Sequence, residues 1–560
     1  MKIQFFTLML FITAFYASAQ STVYVGPRGN TANDPANGVY VSPNGNDQTG
    51  TGAIDRPYKS INFALEKVSS GATILLRSGT YREGRRIRIN KSNITIKSAK
   101  GEWAIIDLTT YDAGNQEHSA VEFYAEDNVT YGVVKDCKLQ NVEVKGGFYA
   151  VCFETQWDWG KATRNGASNI IIEDCILHHS TNDCIKIKPG CDNITIRYCE
   201  IHHSGQAFIN YSDFTTGQRN SEGIDNVNGD KMHVHNNYIH DICSNGIYAK
   251  GGAIDALIEN NIVERTYGVG IALGFDTSPQ FFDLTVNPQY YENIKGIVRN
   301  NLVMNTGWEG IGLYASKDAQ VYNNTIVNAT GYGTAASSGA VVRCAIYFGI
   351  VTQDWGNPAG CPPNINPNVH HNIISQPSTT VNGKMVDIRY VKAGDVYPTP
   401  LLGISGKPTM SNNCYYVAGK SATFTDNCPP GITNASLSSW KTYIGGDAGS
   451  IEVNPSLNAD YMPTNAQCAG MGITAPLKMN TTGNDAPKVL LPQTIASISN
   501  GTLCIENPFA ETVQGYSALG VLLFTFQKSE GKACFPITPP KGSFIVIKGA
   551  NNWSQKLFAQ

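Results

Sequence analysis

The chain has 560 residues, which is long enough for one large domain or several ordinary ones. Its formal net charge of −3 leaves no basic surplus to neutralise phosphates, so the composition predicts no nucleic-acid partner. The same balance provides no long-range field that would attract an acidic polymer, so an acidic substrate must be held by local charges or by a metal.

The first residues predict a signal peptide. Lys2 supplies a positive start, residues 5–15 are mostly apolar, and a small-residue cleavage site ends at Ala19. The apolar run is too short to span a bilayer, and no later stretch is long and apolar enough to do so. We therefore expect residues 1–19 to be removed and the protein to be secreted or held at the cell surface, with no transmembrane segment.

A helix follows the first strand pattern. Residues 39–47 contain alternating apolar side chains and turn residues, an amphipathic pattern covers about 59–68, and further strand patterns lie at 73–77 and 79–82. This order resembles the N-terminal entry of many secreted right-handed β-helix proteins, in which the helix covers the open end of the coil. Since an uncovered end would expose core and unpaired strand edges, we expect this helix to be a cap.

Short alternating β patterns then recur about every 24 residues. One corner position repeats through the column Cys137, Cys175, Cys199, Asn237, Asn261, Asn301, Asn324 and Asn372. The repeat is typical of parallel strands coiled into a solenoid, with coils about 4.8 Å apart, aliphatic side chains inside, and corner Asn side chains bonded to their copies above and below. We predict an all-β, right-handed parallel β-helix over residues 20–480, with core repeats from about 85 to 375.

Cysteine and histidine residues receive structural interpretations. The Cys members of the column are small buried corner residues rather than a metal or redox site. Export permits disulfides among the fourteen cysteines. The candidate loop pairs are Cys344/Cys361, Cys414/Cys428 and Cys504/Cys534. Histidines recur near the corners, and we expect them to stack on one another rather than to form a zinc site. They are His178, His179, His202, His203, His233 and His235.

The second strand of each coil carries the candidate site. Aligning these strands on one inward isoleucine gives the set Ile185, Ile224, Ile247, Ile271 and Ile311, and residues one and three places later then point outward. The acids Asp183, Glu222 and Asp225 converge from adjacent coils within reach of one hard cation, and calcium prefers several carboxylate oxygens.

Lys250 lies one coil further along, with its Cα about 8 Å from that of Asp225 by strand geometry. The small residues that follow in the outward column predict space for a sugar ring beside Lys250. They are Ala272, Gly274 and Gly312. The candidate substrate-binding side chains around this space are Lys188, Asn245, Tyr248, Glu309 and Tyr314.

Two segments resemble polysaccharide lyase family 9, the β-helix pectate lyases. That family has Asp-Gly-Phe-x-x-Lys on one coil and Asp-Asp-Gly-Trp-Asp on the next; this chain has Asn-Asp-Cys-Ile-Lys-Ile-Lys at 182–188 and Ser-Glu-Gly-Ile-Asp at 221–225. The resemblance implies that Asp183, Glu222 and Asp225 bind Ca²⁺ and that Lys250 is the Brønsted base. The second motif departs from the family in its Ser-Glu pair and its isoleucine, and Lys250 matches by coil position alone.

The resemblance implies β-elimination on an acidic, uronate-containing polysaccharide. Calcium on the uronate carboxylate stabilises charge while an uncharged lysine removes the C5 proton and the C4–O bond breaks. Three alternatives stay open. They are a glycoside hydrolase that uses Glu222 or Asp225 with Glu309, a non-catalytic glycan-binding surface protein, and a uronate C5-epimerase.

The repeat pattern weakens after about 375 and stops at about 480. Residues 376–490 are rich in Gly, Pro, Asn and Thr, and we expect late irregular coils and a linker there. Residues 492–560 show short alternating strands that predict a small β-sandwich-like domain. This tail resembles the C-terminal sorting domain of type IX secretion substrates, which implies contact with secretion machinery; a carbohydrate-binding or packing domain is the alternative. We expect a monomer.

Overall fold

The structure is a computed structural model. It describes residues 21–480 except 110–118, 125–133, 156–164, 207–219, 332–343, 353–361, 379–382 and 395–396, together with the strands between 495 and 558. The predicted signal peptide and Cys361 lie outside the described residues. Within the described part, no helix is both long and apolar enough to cross a membrane.

Three parallel sheets of twelve strands each form the main body. Sheet A consists of Val39–Val41, Thr73–Leu76, Thr95–Ser98, Lys138–Gln140, Ile170–Glu173, Ile194–Arg197, His233–His235, Leu257–Glu259, Ile297–Arg299, Gln320–Tyr322, Asn368–His370 and Thr409–Ser411. Sheet B consists of Gly79–Tyr81, Ala104–Leu108, Val142–Gly146, Ile176–His178, Glu200–His202, Tyr238–Ile242, Ile262–Thr266, Leu302–Met304, Thr325–Val327, Ile373–Gln376, Cys414–Val417 and Ile451–Glu452.

Sheet C consists of Ile87–Ile89, Val121–Phe123, Val151–Phe153, Ile185–Ile187, Ile224–Val227, Ile247–Lys250, Ile271–Leu273, Ile311–Tyr314, Ile346–Gly349, Lys384–Ile388, Thr423–Asp426 and Ile432–Ala435. The chain enters sheets A, B and C in turn, and each strand pairs in parallel with its copy one coil away, except the antiparallel last strand of sheet C. This topology confirms the predicted parallel β-helix. Alternate side chains point inward, so one continuous core of Ile, Val and Leu runs the length of the coil.

Both ends of the described coil carry a helix. The helix Ile61–Lys67 begins at Ser60, whose hydroxyl accepts a hydrogen bond from the Phe63 N–H, and it buries Ile61 against the first strands. This confirms the predicted cap, which is slightly shorter than expected. At the other end the helix Leu437–Ile444 buries Trp440, whose ring stacks on Phe424.

The predicted asparagine column is a hydrogen-bonded ladder. The Asn301 backbone N–H donates to Asn324 Oδ1 at 3.0 Å, and the Asn301 side-chain amide donates to the carbonyl of Ile258 at 2.9 Å. The same bonds repeat from Asn237 through Asn372, and the ladder continues to Asn413, one coil beyond the sequence prediction. Every ladder asparagine is fully buried, so these bonds satisfy polar groups that water cannot reach.

The coil continues past the predicted end of the repeat at about 375. Strands of all three sheets follow, up to Ile451–Glu452, so most of the expected irregular region is regular. Smaller elements complete this unit: the strand pair Val23–Val25 and Leu477–Met479, the short strands Ala253–Ile254, Asn293–Ile294 and Ser316–Lys317, the pair Tyr390–Val391 and Leu401–Leu402, and the 3-10 turns Pro279–Phe281 and Ala466–Cys468.

The cysteines match the corner interpretation in part. Cys137, Cys175 and Cys199 are buried and free, as small corner residues should be. The predicted Cys414/Cys428 pair is wrong, because both are free thiols and the Cys414 sulfur lies 3.2 Å from that of Cys468 instead.

Residues 484–560 form a second compact unit. It contains an antiparallel sheet of Ile495–Ser499, Thr502–Asn507 and Gly531–Pro536, and another of Leu522–Lys528, Glu511–Ser517, Phe544–Gly549 and Ser554–Phe558. The register sets Cys504 opposite Cys534, and Cys534 is disulfide-bonded.

Candidate functional site

The predicted register of sheet C places the candidate residues on one wall. The inward isoleucines Ile185, Ile224, Ile247, Ile271 and Ile311 pair in an unbroken row. Consequently Lys186 lies beside Asp225, and Asp225 beside Tyr248, on the outer side of consecutive strands. Lys250 pairs with Val227, two residues beyond Asp225 along the strand direction.

The three acids converge as the sequence predicted. Asp183, Glu222 and Asp225 are almost fully buried, and each offers a carboxylate oxygen within 4.8 Å of the others. The Glu222 backbone N–H donates to Asp183 Oδ1 at 2.9 Å, and the Asn245 side-chain amide donates to Glu222 Oε1 at 3.1 Å. These bonds fix the orientation of two of the three carboxylates.

Lys186 lies among the acids. Its ammonium group donates to Asp225 Oδ2 and lies 3.5 Å from Asp183 Oδ2. Burial alone would lower the pKa of Lys186, but the carboxylates of Asp225 and Asp183 outweigh burial and raise it well above the ordinary value. Lys186 therefore stays charged, which makes it unsuitable as a base.

The protonation of the acids follows from the same contacts. Burial raises the pKa of Asp183 well above its ordinary value, and the neighbouring Glu222 and Asp225 add to that effect against the opposing charge of Lys186. For Asp225, burial is outweighed by the ammonium groups of Lys186 and Lys250, which hold its pKa below the ordinary range.

The acids have the donor set of a calcium site. Within the described part of the chain, Asp183 Oδ2, Glu222 Oε2 and Asp225 Oδ1 are buried and have no hydrogen-bond partner. A buried carboxylate oxygen without a partner is costly, and one such oxygen on each of three converging acids suits a hard cation. The residues present thus fit Ca²⁺. A bound ion would compete with the ammonium group of Lys186 for the carboxylates of Asp183 and Asp225.

Lys250 lies at the edge of the acid cluster. Its Nζ is 3.7 Å from Asp225 Oδ1, 3.5 Å from the carbonyl of Asp276, and 4.8 Å from the centre of the Tyr248 ring. Its side chain is 10% exposed, so the amine can reach the surface without being fully solvated. The predicted convergence of Lys250 with the acids is thus present in the structure, while its role as base stays a prediction.

Glu292 supports the backbone next to Lys250, and no sequence motif pointed to it. The Gly251 N–H donates to Glu292 Oε2 at 2.8 Å, and the backbone and hydroxyl of Thr277 donate to the same carboxyl. Glu292 is fully buried, and burial raises its pKa to about 8 despite these bonds and the nearby Lys250. It ties the segment after Phe275 to the strand that carries Lys250.

The predicted space for a sugar ring beside Lys250 is filled. Phe275 stacks on Tyr248 with ring centres 4.8 Å apart and contacts Tyr314 edge-on at 5.0 Å. A Cβ added at Gly312 would lie 2.6 Å from the Tyr314 ring, so this glycine makes room for a tyrosine of the protein rather than for a ligand. Ala272 is fully buried in the same cluster.

The predicted substrate-binding residues divide into two groups. Asn245, Tyr248, Glu309 and Tyr314 are buried, with the Tyr248 hydroxyl bonded to Asn245 and the Tyr314 hydroxyl bonded to Glu309. They form an inner layer beneath the surface, where direct contact with a polysaccharide would first require movement of the side chains above. Lys188 is more open: its side chain is 32% exposed and pairs with Glu154.

Comparison with known proteins identifies the family. The family described as "Right handed beta helix region" matches residues 21–287 and 222–378, which together cover more than half of the chain. The chain therefore belongs to the right-handed β-helix family.

Two curated proteins are similar over short segments. Pectate lyase PEL9 of Emericella nidulans is 40% identical over 74 residues, which is 12% of this chain and 18% of that protein. The uncharacterized protein YwoF of Bacillus subtilis is 34% identical over 80 residues, or 13% of this chain and 17% of that protein. The matched segments thus span less than a fifth of either relative.

Several solved structures are similar to this chain at low sequence identity. Pectate lyase Pel9A has 15% identity and a TM-score of 0.37, and the match covers 64% of this chain and 79% of that one. The A-module of the Azotobacter vinelandii mannuronan C-5 epimerase AlgE6 has 13% identity and a TM-score of 0.43, covering 69% and 92%. A rhamnogalacturonan lyase has 15% identity and a TM-score of 0.41, covering 79% and 100%.

Proposed function

We propose that the protein is a calcium-dependent polysaccharide lyase that cleaves a pectate-like, uronate-containing polymer by β-elimination. The observation that carries this proposal is the group of three buried acids, each with a carboxylate oxygen that lacks a hydrogen-bond partner, within reach of the Lys250 amine. The segment of 40% identity to a pectate lyase supports the choice of polymer.

In this mechanism the protein's own groups divide the work. Asp183, Glu222 and Asp225 would hold a Ca²⁺ ion, which when bound supplies positive charge to the uronate carboxylate. In its unprotonated form Lys250 would accept the C5 proton, and the electron pair left at C5 forms the C4–C5 double bond. The C4–O bond breaks in the same process, and its electrons leave with the oxygen, which takes a proton from water. Glu292 keeps the backbone of Lys250 in place through the Gly251 N–H.

The spacing of the acids argues against the hydrolase alternative. Glu222 and Glu309 occupy equivalent positions two residues before Ile224 and Ile311, and those isoleucines are separated by three strand pairings. Three strand spacings place their backbones about 14 Å apart. The Glu222 carboxylate also lies within 4.8 Å of that of Asp183, on the coil farther from Glu309, whereas inverting glycosidases need roughly 6.5–9.5 Å between the two carboxyl groups. Asp225 lies three residues beyond Glu222 on the same coil, so its backbone is no closer to that of Glu309.

We propose in addition that the protein is exported. Residues 1–19 would act as the signal peptide, and the antiparallel unit that follows residue 483 would carry the signal for type IX secretion. Mass determination of the protein recovered from the culture medium would test the first part, and the export of a variant without residues 492–560 would test the second. An intact N terminus argues against the first, and export after deletion of residues 492–560 argues against the second.

The decisive experiment is an incubation with pectate, rhamnogalacturonan, alginate and chondroitin, each with and without a chelator. We expect an ultraviolet-absorbing unsaturated product that disappears with the chelator. New reducing ends without that absorbance would indicate a hydrolase, a changed uronate configuration without cleavage would indicate an epimerase, and no change would favour a glycan-binding protein.

Variants of two lysines sharpen this experiment. Lys250→Ala should lower turnover by about 10²–10⁴-fold, the usual contribution of a general base, with an unchanged thermal unfolding midpoint. Lys295→Ala is the matched control, because Lys295 is exposed on a later coil. Full activity of Lys250→Ala would reject the assignment of the base.

A further inference from the structure

Two histidine pairs stack at the end of two neighbouring strands of sheet B, where His178 and His202 are the last strand residues and His179 and His203 follow them. The rings of His178 and His202 stack with centres 4.7 Å apart, and those of His179 and His203 stack at 5.1 Å. The predicted stacking is confirmed for these four histidines, whereas the accompanying expectation of no zinc site is the part that their nitrogens contradict. The stacking has a chemical consequence, because it aligns the ring nitrogens of two adjacent coils.

The nitrogens that meet are the Nδ1 atoms. His178 and His179 face each other through Nδ1, and the Nδ1 atoms of His202 and His203 are 2.6 Å apart. Donor nitrogens of His178, His179 and His202 all lie within 4.8 Å of one another. Three imidazole nitrogens at such distances are a ligand set that zinc accepts.

A carboxylate orients the first ring from behind. His178 Nε2 lies 3.1 Å from Glu143 Oε1, on the side of the ring away from His179. When Nε2 carries the proton and donates to Glu143, the lone pair of His178 is on Nδ1, where the other nitrogens converge. A carboxylate that holds the far nitrogen of a ligating histidine is the common outer partner in zinc proteins.

Charged side chains on the next coil flank the histidine cluster. His240 follows His202 in the stack, and its Nδ1 bonds to Asp241 at 2.6 Å while Nε2 faces Glu200 at 3.1 Å. Arg265 in turn pairs with Asp241 at 2.7 Å. His240, the third ring of the stack, therefore belongs to this group of paired charges. The proposed metal ligands come from the two preceding coils, which carry His178 and His202.

The cluster is open to solvent at its first ring. The side chain of His178 is 12% exposed, which lets an ion reach the ring nitrogens.

We propose that His178, His179 and His202 form a binding site for a divalent transition-metal ion of the Zn²⁺ type, with Glu143 orienting His178 from the outer shell. The group of ligands shares no residue with the three acids proposed to bind calcium. The ligand types select different ions, since imidazole suits Zn²⁺ and carboxylate suits Ca²⁺.

The test is a calorimetric titration of the full-length, chelator-treated protein, without a polyhistidine tag, using Zn²⁺ and then Co²⁺, with the visible absorption of Co²⁺ as a second readout. We expect one equivalent to bind and Co²⁺ to show the intense bands of a low-coordinate site. His179→Asn should weaken binding at least tenfold. His179 has a φ of +54°, a left-handed conformation that asparagine also adopts readily, so this variant should fold.

The chain provides a matched control in His371→Asn. His371 also follows a histidine, has a φ of +55°, and places its Nδ1 2.9 Å from that of His370, but His370 stacks on Tyr322 rather than on a second histidine pair. We expect this variant to bind Zn²⁺ as the parent does. Absence of Zn²⁺ binding in the parent, or an equal loss in both variants, would overturn the proposal, and Asp225→Asn should leave Zn²⁺ binding unchanged whatever its effect on calcium.

Discussion

Replacing Lys186 with methionine should strengthen calcium binding. The ammonium nitrogen is 3.5 Å from Asp183 Oδ2, and calcium bonds to carboxylate oxygens at about 2.3–2.6 Å, so an ion on that oxygen would lie no more than about 6 Å from the ammonium. At an effective dielectric constant of about 20, the repulsion between a dication and a unit charge at that distance is about 5 kcal/mol. Rotation of Lys186 away from the acids relieves part of this energy, so we expect at least tenfold tighter binding in Lys186→Met.

Calorimetric titration of chelator-treated protein with Ca²⁺ measures this change. The matched control is Lys188→Met, since Lys188 is two residues further along the same strand and its ammonium pairs with Glu154, outside the three acids. The control should change the affinity by less than about threefold, because that charge is already neutralised by its partner. An unchanged or weaker affinity in Lys186→Met, with an unaltered thermal midpoint, would refute competition between this ammonium and the cation.

Three further predictions concern stability and oxidation. The pKa of Glu292 is raised to about 8, so the folded protein favours the protonated carboxyl. The contribution of this carboxyl to the free energy of unfolding is therefore complete below about pH 4.3 and is lost as the pH rises through 8. The free energy of unfolding in urea should fall by on the order of 4–5 kcal/mol from pH 5 to pH 9, and this fall should be absent in Glu292→Gln. An equal fall in both proteins would contradict the prediction. Asn301→Ala should destabilise by about 2–4 kcal/mol, since the carbonyls of Ile258 and Arg299 lose their donor, and a change under 1 kcal/mol by urea unfolding would count against the ladder. With oxidised glutathione as oxidant, Cys414 and Cys468 should form a disulfide visible by peptide mapping, and retention of both thiols would show that the pair is held apart.

The repeat made the backbone of the site predictable. Alignment on Ile185, Ile224 and Ile247 gave the correct register of sheet C, because a period of two leaves one choice of face once the aliphatic residues are inside. From that register followed the convergence of Asp225 with Lys250. The asparagine column was equally predictable, because an amide side chain can be buried in an apolar core only where a hydrogen-bond partner recurs on each coil.

Side-chain conformation was beyond the same reasoning. The sequence allows either Lys186 or Lys188 to pair with Asp225, and the choice depends on rotamers and on burial rather than on spacing. It is Lys186 that pairs with Asp225 and enters the acid cluster. Gly312 suggested open space, yet the ring of Tyr314 folds back over it from two residues away. The late coils were expected to be irregular, because long connections interrupt the period there, although Asn413 continues the column.

The ladder has a consequence for how this protein can change. Asn301 and Asn324 are 23 residues apart and Asn324 and Asn372 are 48 apart, yet both N–H to Oδ1 bonds measure 3.0 Å. A coil can therefore accept an insertion about as long as itself without altering the axial step. The segments between strands can therefore vary in length independently, and a longer loop can change what reaches the outer side of sheet C while the strand register beneath it stays the same.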